Sequence, residues 1–236
     1  METVPVCRRG WFDKDPVFFG GSACTILHTA AEDICWLLDR GYDIRAAVTF
    51  AGNHYSLTER QRTALTRSLC SSAQLELRRR KELPDGRLPE SVALDGFNTV
   101  ITLETALSSS LLLLCRDNTV RDLAGLHGTY RIIDKTESAV ALMLDALQSR
   151  GVISAQVYLD KQVSNSGRLK TLIGQTAEKK RLAVNINLLD DVDTQLVKEP
   201  CVITADSIVL DRCISWFNLN RYIIQSIPAA WLVSAV

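Results

Sequence analysis

From Val92 onward the chain alternates short apolar runs with stretches of helical periodicity, and this alternation restricts the fold more than any other feature. The runs are Val92–Leu94, Leu111–Cys115, Ala155–Leu159, Ala183–Leu189 and Val202–Thr204. Between and after them, residues 98–107, 136–150, 166–179, 192–197 and 207–213 have helical spacing. Strands that alternate with helices form βα units, and βα units build a mostly parallel sheet flanked by helices. The expected class is therefore α/β, with a Rossmann-like parallel sheet.

Ahead of that pattern the chain reads as helical. Residues 22–40 place Ile26, Leu27, Ala30, Ile34, Leu37 and Leu38 at helical intervals, with Gly41 as a stop. A second helix is expected to start at Ser56, with Glu59 completing a capping box, and to run through Leu65 and Leu69 past Leu75. Leu83–Pro89 (LPDGRLP) has two prolines and an Asp-Gly turn signal, so it reads as a linker. The expected organisation is a small helical N-terminal region, 1–83, followed by an α/β domain, 90–236.

With 236 residues, 47% of them hydrophobic, the chain can bury one good core and a smaller second one. Lys plus Arg and Asp plus Glu balance at 27 each, so no global field draws it to a polyanion, and any such site must be local. The densest positive run is Arg78–Lys81, preceded by Arg60, Arg62 and Arg67. A solvated helix face is the first reading of these residues and an RNA-binding patch the second. Seven cysteines without Cys-x-x-Cys spacing read as reduced core residues of a cytoplasmic protein. Residues 1–10 lack a signal-peptide apolar segment, and Leu111–Leu114 is too short to span a bilayer, so no membrane role is expected.

Four of the expected strands end on or just before acids: Asp95, Asp160, the group Asp190, Asp191 and Asp193, and Asp206. Right-handed crossovers bring the carboxyl ends of parallel strands to one edge, where ligands bind. Taken singly, each acid is explained as the N-cap of the next helix. Four of them, each after a different strand, point instead to a shared acidic site. Crowded carboxylates repel one another unless a cation lies between them, and oxygen-only ligands suit Mg²⁺ or Mn²⁺. Such an ion implies phosphate chemistry, with one or two metals generating hydroxide and stabilising an in-line displacement.

Two further segments carry groups suited to phosphate. Residues 121–131 (RDLAGLHGTYR) hold Arg121, Arg131, an acid, two glycines and His127, and could grip phosphate through guanidinium forks and backbone N–H groups. Pairing of Arg121 and Asp122 with surface neighbours, and a satisfied loop histidine without a catalytic task, are the plain alternative. Ser164, Asn165 and Ser166 precede a helix and could form an anion site; a Ser N-cap explains them equally. No P-loop or dinucleotide fingerprint is present, which sets those enzyme classes aside.

The segment Leu94-Asp95-Gly96-Phe97-Asn98 resembles the first motif of PIN and NYN nucleases, in which a strand ends in Asp. Residues 201–210 (CVITADSIVL) resemble the late PIN motif, and 190–196 (DDVDTQL) the intermediate acidic motif that opens a helix. Most of residues 24–215 also resembles the domain of unknown function 434 family, through 37–42 (LLDRGY), 53–62 (NHYSLTERQR), 121–131 and 163–169 (VSNSGRL). That family carries no activity with it. The PIN resemblance implies Asp95 and Asp206 as metal ligands, Asp193 as a ligand directly or through water, Asp160 as an additional acid, and Asn98 orienting Asp95 or the scissile phosphate. Residues 160–167 depart from the usual PIN pattern, and the three acids at 190, 191 and 193 are not ranked by it.

Three functions follow as expectations. The first is a metal-dependent nuclease acting on RNA, its N-terminal arginines positioning substrate. The second is an inactive PIN-like module that binds nucleic acid or protein. The third, ranked lower, takes Asp191 and Asp193 as the D-x-D of a Toprim-like phosphotransfer site, for which Asp95 stands where a glutamate is wanted. Whether two chains pair as a homodimer to complete a groove is left open.

Overall fold

The computed structural model describes residues 7–125 and 128–234. The chain begins with five helices, α1 (Asp15–Phe18), α2 (Gly21–Leu38), α3 (Ile44–His54), α4 (Glu59–Ser68) and α5 (Ser72–Lys81). Then come β1 (Ser91–Asp95), α6 (Gly96–Leu107), β2 (Leu111–Leu114), β3 (Val120–Asp122), α7 (Thr136–Ser149), β4 (Ser154–Asp160) and α8 (Ser166–Lys180). The last third holds β5 (Ala183–Leu189), α9 (Val192–Leu196), β6 (Val202–Ile203), α10 (Ser207–Arg212), α11 (Leu219–Ile224) and β7 (Trp231–Ser234).

The main sheet is four-stranded and parallel, in the order β5-β4-β1-β6. Its central strands are largely buried on both faces, which is why they read as apolar runs, interrupted only by Gln156 of β4. Helices α6, α7 and α8 cover one side through Val100, Leu103, Met143, Leu147, Leu169 and Ile173, in the largest core cluster. Trp216, fully buried, anchors a smaller cluster with Leu196, Val209 and Leu210 on the other side.

Leu111–Leu114 lies outside this sheet. It is the centre of a three-stranded sheet, β3-β2-β7, antiparallel to β3 and parallel to β7. Its four leucines serve two cores: Leu111 and Leu113 face the cluster built by α2, α3 and α4, while Leu112 and Leu114 pack into the cluster under α6. The strand is thus a wall shared by both layers. The segment 83–89 carries no helix, but the helices before it pack on β2 and β7 rather than standing apart.

The N-terminal helices differ from expectation in detail. The expected second helix is two, α4 and α5, broken at Leu69–Ser71, and α3 is an additional helix ahead of them. Ser56 does not cap; its φ is +53°, and Thr58 takes that role, forming the capping box with Gln61. A second box, Ser71 with Gln74, opens α5. Each pair satisfies two N–H groups that the first turn leaves without partners. The seven cysteines are free, five of them buried. Among the described residues no helix is long and apolar enough to cross a membrane.

Candidate functional site at the carboxyl edge of the sheet

Strand order reverses at β1: β4 and β5 lie to one side and β6 to the other. In open parallel sheets the crevice at such a switch point, outside the strand ends, is where ligands bind. Asp95 ends β1 and Asp206 follows β6, so the two flank this point.

Local chemistry fixes both acids. Asp95 is the N-cap of α6, its Oδ1 accepting from Asn98 N–H at 3.1 Å. Its Oδ2 accepts from the Thr204 hydroxyl at 3.3 Å, and that same hydroxyl oxygen accepts from Asp206 N–H at 3.0 Å. The Asn98 side-chain oxygen accepts from Ala205 N–H at 2.8 Å, tying the end of β1 to the turn after β6. Asp206 in turn caps α10 through Ile208 and Val209 N–H, at 2.7 and 3.3 Å. Capping and clustering therefore coexist here, since a cap uses only part of a carboxylate's acceptor capacity.

Gly96 is required by close approach, not by turn geometry. A Cβ there would stand 2.6 Å from Leu159 Cδ2 and 2.8 Å from Val157 Cγ1, so only glycine lets α6 start directly on top of β4.

Burial lifts the Asp95 carboxyl to about 7, and Asp206 and Asp193 push it the same way against the lowering effect of the Asn98 N–H. Asp193, in the first turn of α9, is also raised, by partial burial first and then by Asp206, Asp191 and Asp160. Helix α9 packs across β1 and β4, which carries Asp193 to the switch point. Its neighbours are separated from it by their own bonds. Asp191 caps α9 through Thr194 N–H and hydroxyl at 3.0 and 2.6 Å, and Asp190 lies on the surface 3.9 Å from Lys161 Nζ. With Asp191 turned to that cap, only Asp193 of the D-x-D pair joins Asp206 and Asp95.

Asp160 is farther out. The register pairs Asp95 with Tyr158, so Asp160 lies two residues beyond, roughly 7 Å along the strand. Its Oδ1 accepts from Gln162 N–H at 2.7 Å. Among the described residues no group of three His, Cys, Asp or Glu side chains is placed to hold a metal ion as it stands.

Several expected phosphate contacts are engaged in structure. Arg121 donates from Nε to Ala205 O at 2.7 Å, from Nη2 to Asp117 Oδ2 at 2.7 Å, and from Nη1 to Arg67 O. It buttresses the turn that carries Asp206 and is no open fork. Its neighbour Asp122 accepts from Thr102 Oγ1 and Ala124 N–H and lies 3.8 Å from Arg67 Nη1. Ser164 and Asn165 bond to the backbone of Tyr130: Tyr130 N–H donates to Ser164 Oγ at 2.8 Å, and Asn165 Nδ2 donates to Tyr130 O at 2.7 Å. They fasten the 128–131 segment beside the loop after β4, and Ser166 is buried at the start of α8. Arg131 stays exposed next to that segment. His127 lies outside the described residues.

The arginine cluster is also largely internal. Arg78 is 2% exposed and bridges Asp117 Oδ2 at 2.6 Å and Asp211 Oδ1 at 2.7 Å, joining α5 to α10 and to the β2–β3 turn. Arg60 grips the buried Asp15 with two nitrogens, and Arg62 and Arg67 each donate to backbone carbonyls. Arg79 and Arg80 are exposed. Thr204, Asp117 and Asp211 escaped the sequence reading. Thr204 was legible only as part of Thr-x-Asp, and the other two are joined by Arg78, 39 and 133 residues away from them.

The fold and site define a mixed α/β protein whose parallel sheet gathers carboxylates at its switch point. Residues 87–222 match the family described as "Domain of unknown function (DUF5616)", and residues 26–81 match the one described as "Protein of unknown function (DUF434)". The chain belongs to the DUF5616 family. It is 32% identical over 186 residues to the uncharacterised protein MJ0935 of Methanocaldococcus jannaschii, across 78% of this chain and 88% of that protein. No solved structure gives a significant match.

Proposed function

We propose that the protein is a divalent-metal-dependent nuclease of PIN type acting on RNA. The observation that carries this reading is Asp95: a carboxyl held at the switch point, raised to about 7 by burial and by the facing Asp206 and Asp193. Like charges brought together at that energetic cost suit a hard cation, and the donor set is all oxygen. Asp95, Asp206 and Asp193 would hold Mg²⁺ or Mn²⁺, with Asp160 as an outlying acid. The ion would supply a low-pKa water and charge neutralisation at a phosphodiester.

The chain's own groups have separable tasks. Asn98 and Thr204 fix the Asp95 carboxylate and join it to the Asp206 turn, Arg121 supports that turn from below, and exposed Arg131 is the guanidinium left to meet a phosphate. Because no three carboxylates among the described residues are placed to hold an ion as they stand, a non-catalytic module that binds nucleic acid on the same scaffold is the second reading.

Isothermal titration of Mn²⁺ into wild type and Asp95→Asn, followed by incubation of each with labelled single-stranded RNA, separates the two. Metal binding and cleavage that both vanish in the variant support the nuclease. A folded wild type that binds no Mn²⁺ refutes the shared acidic site, and RNA binding without metal or cleavage favours the module.

A further inference from the structure

Helices α3 and α4 are joined by a four-residue turn and run antiparallel, and the cleft between them has a cavity of about 560 Å³. Its two walls are polar stripes. Arg45, Thr49 and Asn53 line one, spaced four residues apart on α3. Arg62, Thr66 and Arg67 are among those lining the other. Three arginines face one glutamate, Glu59, in a chain whose overall charge is zero.

The polarity of the cleft is directional. Because the helices are antiparallel, Arg45 at the start of α3 and Arg67 near the end of α4 share one end, and Glu59 lies at the other. The Arg45 guanidinium has no protein partner among the described residues, whereas Arg67 Nη1 donates to Asp122 O at 2.7 Å and lies 3.8 Å from Asp122 Oδ1. Arg62 is held flat against α3: Nη1 donates to Asn53 Oδ1 at 2.9 Å and Nε to Leu57 O at 2.9 Å. Gly52 makes this fit possible, since a Cβ there would stand 2.6 Å from the guanidinium. A guanidinium fixed in its plane retains donors with defined direction, as phosphate recognition needs.

The positive end points to the acids. The Arg67 carbonyl accepts from Arg121, and Arg121 Nε donates to Ala205 O, next to Asp206. We infer that the α3–α4 cleft is the docking surface for the phosphate backbone of single-stranded RNA, which leaves it at Arg45 and Arg67 toward the strand-end carboxylates. This rests on the nuclease reading for its choice of ligand. The α4 stripe from Glu59 to Arg67 is about 12 Å long, enough for a short stretch of one strand and too narrow between packed helices for a duplex.

The test is fluorescence anisotropy of a labelled single-stranded RNA in EDTA over a salt series, using wild type, Arg45→Ala and the exposed control Arg79→Ala. Loss of one phosphate contact in Arg45→Ala should weaken binding several-fold and lower the slope of log affinity against log salt by about 0.7. Arg79→Ala should bind as wild type does, and a DNA of the same sequence should bind no more tightly. Equal affinity and slope in Arg45→Ala and wild type, or no binding by wild type, overturns the docking surface, as does a preference for DNA. Cleavage by the metal-loaded wild type is scored separately. Arg45-dependent binding without cleavage refutes the nuclease alone, and cleavage with Arg45-independent binding refutes the cleft alone.

Discussion

Replacing Asp95 with Asn should make the metal-free protein more stable at pH 8 and not at pH 4. The Asp95 carboxyl is raised from an ordinary 3.8 to about 7, so between these values the folded chain holds a proton that the unfolded chain has released. Stability of wild type therefore falls as pH rises through that window and is level above it. At 1.36 kcal/mol for each pH unit between the two values, the loss is about 4 kcal/mol at most. Asparagine does not ionise and escapes it. The variant keeps an acceptor for Asn98 N–H but presents an amide N–H to the Thr204 hydroxyl in one orientation, which costs about 1 kcal/mol. The net gain at pH 8 is about 3 kcal/mol, or about 6–12 °C in Tm for a chain of this size. At pH 4 the two proteins should melt together, with the variant equal or slightly lower. Thermal and urea unfolding in EDTA at both pH values measures this, and Mn²⁺ at pH 8 should raise the Tm of wild type while leaving the variant unmoved. A pH-independent difference, or a variant less stable at pH 8, would refute the account of Asp95 as a destabilised carboxylate.

Three other outcomes are expected. Asp206→Asn should abolish Mn²⁺-dependent RNA cleavage yet stay within about 0.5 kcal/mol of wild type in urea, because Asn caps a helix as well as Asp does; retained cleavage would remove Asp206 from the site. Arg78→Ala should cost about 3 kcal/mol or more, since it strips charge partners from buried Asp117 and from Asp211, and a loss under about 1 kcal/mol would mean that Arg121 alone satisfies the knot. Gly96→Ala should cost about 1–3 kcal/mol by overpacking against Leu159 and Val157, measured as a shift in the urea midpoint, and no shift would show that α6 can lift off β4 freely.

The parallel sheet was legible because its central strands are mostly apolar and its helices periodic, signals that each segment carries alone. Placement of Leu111–Leu114 was not, because an apolar run reports burial on both faces without saying between which layers. The three-residue β3 and the Trp231–Ser234 strand offered too little periodicity to read. At the site, the acids at strand ends were visible one by one. What ranks Asp193 above Asp190 and Asp191 is the turn of α9, where Asp191 is consumed by its own cap. The arginines misled for a related reason: a run such as Arg78–Lys81 looks solvated until the partners of Arg78, 39 and 133 residues away, are brought to it by the fold.

The position of β7 beside β2 bears on how the molecule is made. The floor under α2, α3 and α4 includes Val233 and Trp231, and His28 of α2 bonds to Ser234 O at 2.9 Å. Helices α2 to α4 thus dock on a surface finished by a strand that follows them far along the chain, 206 residues separating His28 from Ser234. Their apolar faces must wait for β7 to be made, so this layer should settle late and depend on protection during synthesis.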